Sequence, residues 1–218
     1  MSGAFDYFDR NRDTVLEWLG WHAWLSLVPV VLGLALALPL GWLANRRRAF
    51  RAPIVAVAGL LYTVPSLALF VLMPVLLGTK ILDPVNVVAA LTVYSVALLV
   101  QVVADGLAAV PEEVALSARA MGYGPLRRLV AVELPIAVPV LVAGLRVATV
   151  SNVSLVSVAA LLGVPQLGSL FTLGFQLVDT GPIVLGLLGC VLLAVVFDAL
   201  LVAAGRMLTP WRRAVRAS

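Results

Sequence analysis

The chain has 218 residues, 62% of them hydrophobic and only 12% charged, with a formal net charge of +4. An ordinary soluble domain carries about 25% charged residues, so this composition excludes one and puts the chain in lipid. The single cysteine, Cys190, excludes an internal disulfide framework and a cysteine-rich metal site, and one domain's length held mostly in lipid leaves little mass for a separate soluble catalytic module.

A helix crosses about 30 Å of hydrocarbon with about 20 mostly apolar residues. Residues 1–20 fall short of this: Asp6, Asp9, Asp13 and Glu17 stand beside Arg10 and Arg12, which is not the basic region and apolar core of a cleaved signal peptide. They read as a polar, amphipathic lead-in on the outer side. The first span covers 21–44, with Trp18, Trp21 and Trp24 near its outer end and Trp42 at its inner end as interface anchors. The second covers 53–77 and is interrupted by Thr63, Pro65 and Ser66, where the proline removes a backbone hydrogen bond and can kink the helix toward a cavity. The third covers 84–108, with Asp105 near its end; the fourth covers 134–162 and contains Arg146. Between 163 and 181 the sequence GVPQLGSLFTLGFQLVDTG is apolar but too short and broken to span, so it reads as an outer loop with one short helix. The fifth span covers 182–208 and contains Asp198, and 209–218 form a basic tail with Trp211 as an anchor.

Cytoplasmic loops collect Lys and Arg. Arg46, Arg47, Arg48 and Arg51 follow the first span, Arg119, Arg127 and Arg128 follow the third, and Arg206, Arg212, Arg213 and Arg216 end the chain, so that eleven of the fifteen basic residues fall on one side. The fold class is therefore all-α: a polytopic membrane protein of five transmembrane helices in one domain over 21–208, amino terminus outside and carboxyl terminus cytoplasmic. The positive charge serves topology and anionic lipid, not nucleic acid.

The cytoplasmic segment 111–133 contains PEEVALSARAMGYGPLRRLVAVE. Pro111 suits a first helical position, Glu112 and Glu113 suit the positive end of a helix dipole, and Gly122, Gly124 and Pro125 stop the helix. Val114, Ala118 and Met121 recur on one face, and a second short helix starts at Pro125. From the residues alone, the segment reads equally as a re-entry loop whose arginines enforce topology. Inside the spans, Arg146 needs a partner or water, with Asp198 and Asp105 as the available acids; a structural pair and a pathway role both stay open. Thr149, Ser151, Asn152, Ser154 and Ser157 make the middle of the fourth span polar, either for close helix packing or as the lining of a pathway.

ARAMG at 118–122, then ELP at 133–135 and AGLR at 143–146, resembles the coupling loop of the permease subunits of binding-protein-dependent ABC importers. The family's motif opens Glu-Ala-Ala six residues before the glycine; here Leu116, Ser117 and Ala118 hold those positions, so the glutamate is replaced. TVPSLALFVLMPVLLG at 63–78 is similar to a segment of the glycine betaine, carnitine, choline and osmoprotectant branch. The resemblance implies the type I, MetI-like importer permease fold in its five-helix form, working in a prokaryotic cell membrane as a dimer with a second copy or a paralogue. It implies that Glu112, Glu113, Leu116, Ser117, Ala118, Arg119, Met121 and Gly122 engage a cytoplasmic ABC ATPase dimer, which supplies ATP and magnesium. Polarity and, at Pro65, the interruption of the helix make Thr63, Pro65, Ser66, Thr149, Ser151, Asn152 and Ser154 the candidates for lining a pathway, and the resemblance further implies an extracytoplasmic solute-binding protein met by Gln166, Phe171 and Gln176.

The chain has no Gly-rich phosphate loop, no His-Glu-x-x-His pair and no Gly-x-Ser-x-Gly elbow, so no catalytic residue, metal or cofactor is expected in it. The expected function is the permease subunit of an ATP-driven importer for a small compatible solute such as glycine betaine, choline, carnitine or a proline-like osmoprotectant. A methionine-type amino-acid permease is the alternative, and an ATP-independent channel or carrier a further one. Aromatic cages recognise quaternary ammonium groups; by the resemblance that cage belongs to the binding protein, and no aromatic cluster stands out in this sequence.

Overall fold

A computed structural model describes residues 2–211, which form helices joined by turns. Arg212, Arg213 and Arg216 of the basic tail lie outside the described residues. Helix α1 (Ser2–Arg10) leads into α2 (Arg12–Arg46), so the first long helix begins at Arg12 and the lead-in expected over 1–20 is itself helical. Its charges did not signal this because they lie on an exposed face. Val15 is buried, and Tyr7, Phe8, Trp18 and Leu19 pack with it against Leu167 and Leu170.

The span expected over 53–77 is two helices, α3 (Arg48–Thr63) and α4 (Ser66–Leu77), bent by 103°. Pro65 has no N–H, and a residue before proline is pushed out of the helical region. Val64 is accordingly extended, its N–H turns back to the Leu61 carbonyl, and the Tyr94 hydroxyl donates to its freed carbonyl. Helix α5 (Pro84–Ala108) starts on an Asp83 cap, whose carboxylate accepts the Val85 N–H at 3.0 Å, and runs through the centre of the bundle.

Helix α2 packs closely on α5 along Gly33, Ala37 and Gly41, small residues one turn apart that let two backbones approach. A Cβ on Gly41 would lie 2.6 Å from the Val103 Cβ, so this position requires glycine.

Helices α6 (Glu112–Ala120) and α7 (Pro125–Arg128) precede a π-helical turn (Leu129–Glu133), α8 (Leu134–Val156) and a 3-10 turn (Ser157–Leu162). The fourth span, expected over 134–162, is thus one 38-residue helical run from Pro125 to Leu162. The π turn marks where proline intrudes: Pro135 has no N–H for the Ala131 carbonyl, and the Leu134 N–H reaches five residues back to Leu129. Helix α9 (Ser169–Leu177) lies in the loop before α10 (Thr180–Leu208).

Four helical runs are long and apolar enough to cross a membrane, and α3 with α4 makes a fifth if the bent pair counts as one crossing. One end of the bundle holds the start of α2, Asp83, the 3-10 turn and the start of α10; the other holds Arg47, α6, α7 and Thr209.

Candidate functional site

Helix α6 is a short helix with both ends defined. Pro111 stands just before it as its cap, not inside it as the sequence suggested, and Glu112 and Glu113 form the first turn, where the dipole favours acids. At the other end the Tyr123 N–H bonds the Ala118 carbonyl at 3.1 Å and the Gly122 N–H bonds Arg119 at 2.9 Å, a Schellman closure. Gly122 has a φ of +82°, so glycine's freedom is needed there. Ala118 is buried and Val114 half-buried, but Met121, expected on the same face, is 67% exposed because the backbone leaves the helix at that residue. Leu116 is also exposed, at 51%, together with Glu112, Glu113, Ser117 and Arg119.

Beyond the turn, the Arg127 guanidinium lies 4.5 Å from the Tyr123 ring centre. Arg128 donates to Glu133 at 2.6 Å in a nearly buried pair that braces the π turn at the entry to α8. These contacts link α6 through α7 and the π turn to α8.

The sequence-selected intramembrane charges divide into two pairs. Arg146 on α8 makes a two-pronged bond to Asp198 on α10, with Nε at 2.6 Å and Nη2 at 2.8 Å. Asp105 accepts instead from Arg51 of α3 at 2.7 Å, near the end of the bundle that holds α6.

The polar pathway candidates are not one surface. Asn152 is buried, donating to the Ser95 hydroxyl at 3.0 Å and to the Ser26 carbonyl at 3.3 Å, and so ties α8 to α5 and α2 inside the chain. Thr149 is buried beside it with no hydrogen-bond partner for its hydroxyl among the described residues. Both were expected on a pathway; their helix face turns into the bundle. Ser154 is exposed and Ser151 half-buried, while Thr63 and Pro65 are exposed at the α3–α4 bend with Ser66 half-buried beside them. A cleft of about 570 Å³ between α3, α5 and α8 is lined by Tyr62, Gln101, Asp105 and Gly144, of which the sequence had pointed neither to Tyr62 nor to Gln101.

In the loop after α8, Gln166 was expected to face a partner but is fully buried, whereas Phe171 is half-buried and Gln176 exposed. His22 Nε2 donates to the Val153 carbonyl at 2.9 Å and its Nδ1 lies 2.9 Å from Gln166 Oε1, which accepts the Gly168 N–H at 2.5 Å. His22, the single histidine of the chain, has no exposure at all. Only the rarity of a lone histidine in an apolar run signalled it.

Fold and site together define a multi-pass helical membrane protein whose long helices are entered through a short, capped helix at one end. Residues 30–214 match the family of the binding-protein-dependent transport system inner membrane component, and the chain belongs to that family. Family membership makes it a transporter permease subunit, not itself catalytic. It is 32% identical over 189 residues to the choline transport system permease protein OpuBB of Bacillus subtilis, covering 87% of this chain and 86% of that one. It is 35% identical over 192 residues to the osmoprotectant import permease protein OsmW of Salmonella typhimurium, covering 87% and 89%. Its fold is like that of an inward-facing structure of the MetNI methionine ABC transporter, with a TM-score of 0.73 at 21% identity over 90% of this chain and 94% of that one.

Proposed function

We propose that the chain is the permease subunit of an ATP-driven importer for a small compatible solute of the glycine betaine, choline, carnitine or proline-like class. It pairs with a second copy or a sister permease, between a cytoplasmic ABC ATPase dimer that binds ATP and magnesium and an extracytoplasmic solute-binding protein. Its amino terminus is outside, its carboxyl terminus is cytoplasmic, and α3 with α4 forms one of five crossings. The solute class is supported by relatives named for choline and osmoprotectant import.

The coupling role rests on α6. Ala118 and the Schellman turn fix this helix to its own bundle while Glu112, Glu113, Leu116, Ser117, Arg119 and Met121 face solvent. Leu116 and Met121 give the ATPase an apolar contact in place of a glutamate, and movement of α6 passes through α7 and the π turn into α8. Thr63, Pro65, Ser66, Ser151 and Ser154 are the pathway candidates that remain on open surface or at its edge. The Arg146–Asp198 pair holds α8 to α10.

Proteoliposomes containing the permease, its ATPase and its binding protein test this reading, with labelled glycine betaine and choline as solutes and methionine as the comparison. Uptake is expected to require ATP, to favour the ammonium solutes and to be lost in Gly122→Val and Ala118→Phe at normal membrane levels. Gly122→Asn is expected to keep it, because asparagine tolerates a positive φ. Uptake without ATP overturns the importer class, preferred methionine uptake overturns the solute class, and normal uptake in Gly122→Val and Ala118→Phe overturns the coupling role of α6.

A further inference from the structure

Near the start of α2 the surface opens into a cleft of about 690 Å³ against the start of α5, lined by Glu17, Gly20, Trp21, Trp24, Asp83 and Pro84 among others. The two tryptophans pack edge to face, with ring centres 5.8 Å apart and planes at 83°. They remain 40% and 44% exposed, so neither ring is used up in the bundle. Trp18, one turn earlier, packs inward with Val15. Nothing lies within 4 Å of where a Cβ on Gly20 would be, which keeps the space between Glu17 and Trp24 open.

The charges in this cleft are of one sign. Glu17 and Asp83 line it and no Lys or Arg does. Among the described residues, Glu17 makes no ion pair or side-chain hydrogen bond, and Asp83 has one carboxylate oxygen engaged with the Val85 N–H. Two carboxylates on an apolar, aromatic wall attract a cation, and the wall decides which kind. A small hard cation such as calcium asks for six to eight oxygen ligands, which this wall does not offer. An alkylated ammonium is weakly hydrated, spreads its charge over methyl groups and is attracted to indole faces.

We propose that the Trp21–Trp24 cleft, flanked by Glu17 and Asp83, is a binding site for an alkylammonium group. The group has two possible sources, a free solute at the mouth of the transporter or the headgroup of a neighbouring phospholipid. In the first case the site deepens the proposed function and rests on that reading, giving the permease an ammonium contact of its own beside the binding protein.

The experiment uses the permease–ATPase complex, without the binding protein, in nanodiscs of phosphatidylglycerol, a lipid with no ammonium group. Labelled tetramethylammonium is titrated by equilibrium dialysis, and 3,3-dimethyl-1-butanol, the uncharged isostere of choline, is the competitor. Saturable binding is expected, weakened about threefold by Glu17→Gln, about tenfold or more by Trp21→Leu with Trp24→Leu, and little by Trp24→Phe, which keeps an aromatic face and controls for folding. The neutral alcohol is expected not to compete. Adding phosphatidylcholine to the nanodiscs separates the sources: a proportional loss of tetramethylammonium binding identifies the headgroup, and unchanged binding identifies the solute. Either supports the site. Absence of saturable binding, equal competition by the alcohol, or full binding in the double leucine variant overturns it and leaves the tryptophans as interface anchors. Tetramethylammonium binding in a complex that imports no ammonium solute would keep the site and refute the proposed function.

Discussion

His22 sits where α8 gives way to the 3-10 turn. There the Ser157 N–H turns to the carbonyls of Ser154 and Leu155, leaving the Val153 carbonyl without its usual helical donor. The imidazole supplies that donor and reaches Gln166 with its other nitrogen, joining α2 to the loop that carries α9. Replacing it with leucine leaves polar groups bare in a dry core, at about 1–3 kcal/mol for each one. His22→Leu is therefore expected to lower the thermal midpoint of the detergent-solubilised protein by several degrees, and a variant that melts with the parent would show the network to be dispensable. This pair was illegible in the sequence, because its members lie 144 residues apart and hydropathy treats each as a lone polar residue in an apolar run. Gln166 looked like a partner contact because the resemblance puts its loop toward a binding protein, and its distant partner His22 gave no signal against that. The Arg146–Asp198 contact was among the legible options because few acids are available to an arginine in that setting, yet choosing Asp198 over Asp105 needed the position of Arg51 beside Asp105.

At the scale of elements, the apolar windows located the long helices because hydropathy reports which residues meet lipid. Their ends were misplaced at 12–20 and 125–133, where the backbone stays helical after the side chains leave lipid; helicity there depends on packing and on the Arg128–Glu133 brace. Pro65 announced an interruption, but a bend of 103° also depends on Tyr94 capturing the Val64 carbonyl from another helix. The seam between α2 and α5 was missed altogether, although Gly33, Ala37 and Gly41 recur at every fourth position. Its energetics are testable. Gly41→Val drives a side chain into Val103 and is expected to cost at least about 1–3 kcal/mol of overpacking, seen as reduced folded yield and a lower thermal midpoint. Gly59→Ala is the control, since its Cβ would meet only Gln101 Nε2 at an ordinary 3.8 Å. Gly59→Ala is expected to cost nothing, because alanine favours a helix more than glycine does, and equal losses in the two would mean that the seam does not set the cost.

Across the whole molecule, the net charge of the described residues differs between the two ends. Asp6, Asp9, Asp13, Glu17, Asp83 and Asp179 outnumber Arg10, Arg12 and Lys80 where α2 and α10 begin, while Arg46, Arg47, Arg51, Arg119, Arg127, Arg128 and Arg206 outnumber Asp105, Glu112, Glu113 and Glu133 where they finish. Between these belts, Arg146 and Asp198 pair with each other, which lets both residues lie at membrane depth. Arg146→Asp alone places two acids together and is expected to reduce the protein recovered from membranes severalfold. Adding Asp198→Arg restores the pair and is expected to recover most of the loss; no recovery would mean that the arginine serves something other than its partner. The sorting of charge also predicts orientation, because Lys and Arg are retained on the cytoplasmic side. In a Cys190→Ser background, Phe175→Cys on α9, 82% exposed in the parent, is expected to react with a membrane-impermeant maleimide added outside intact cells. Met121→Cys at the end of α6, 67% exposed in the parent, is expected to react only after the cells are opened. The reverse pattern would put α6 outside, out of reach of any cytoplasmic ATPase, and would remove the physical basis for the coupling role.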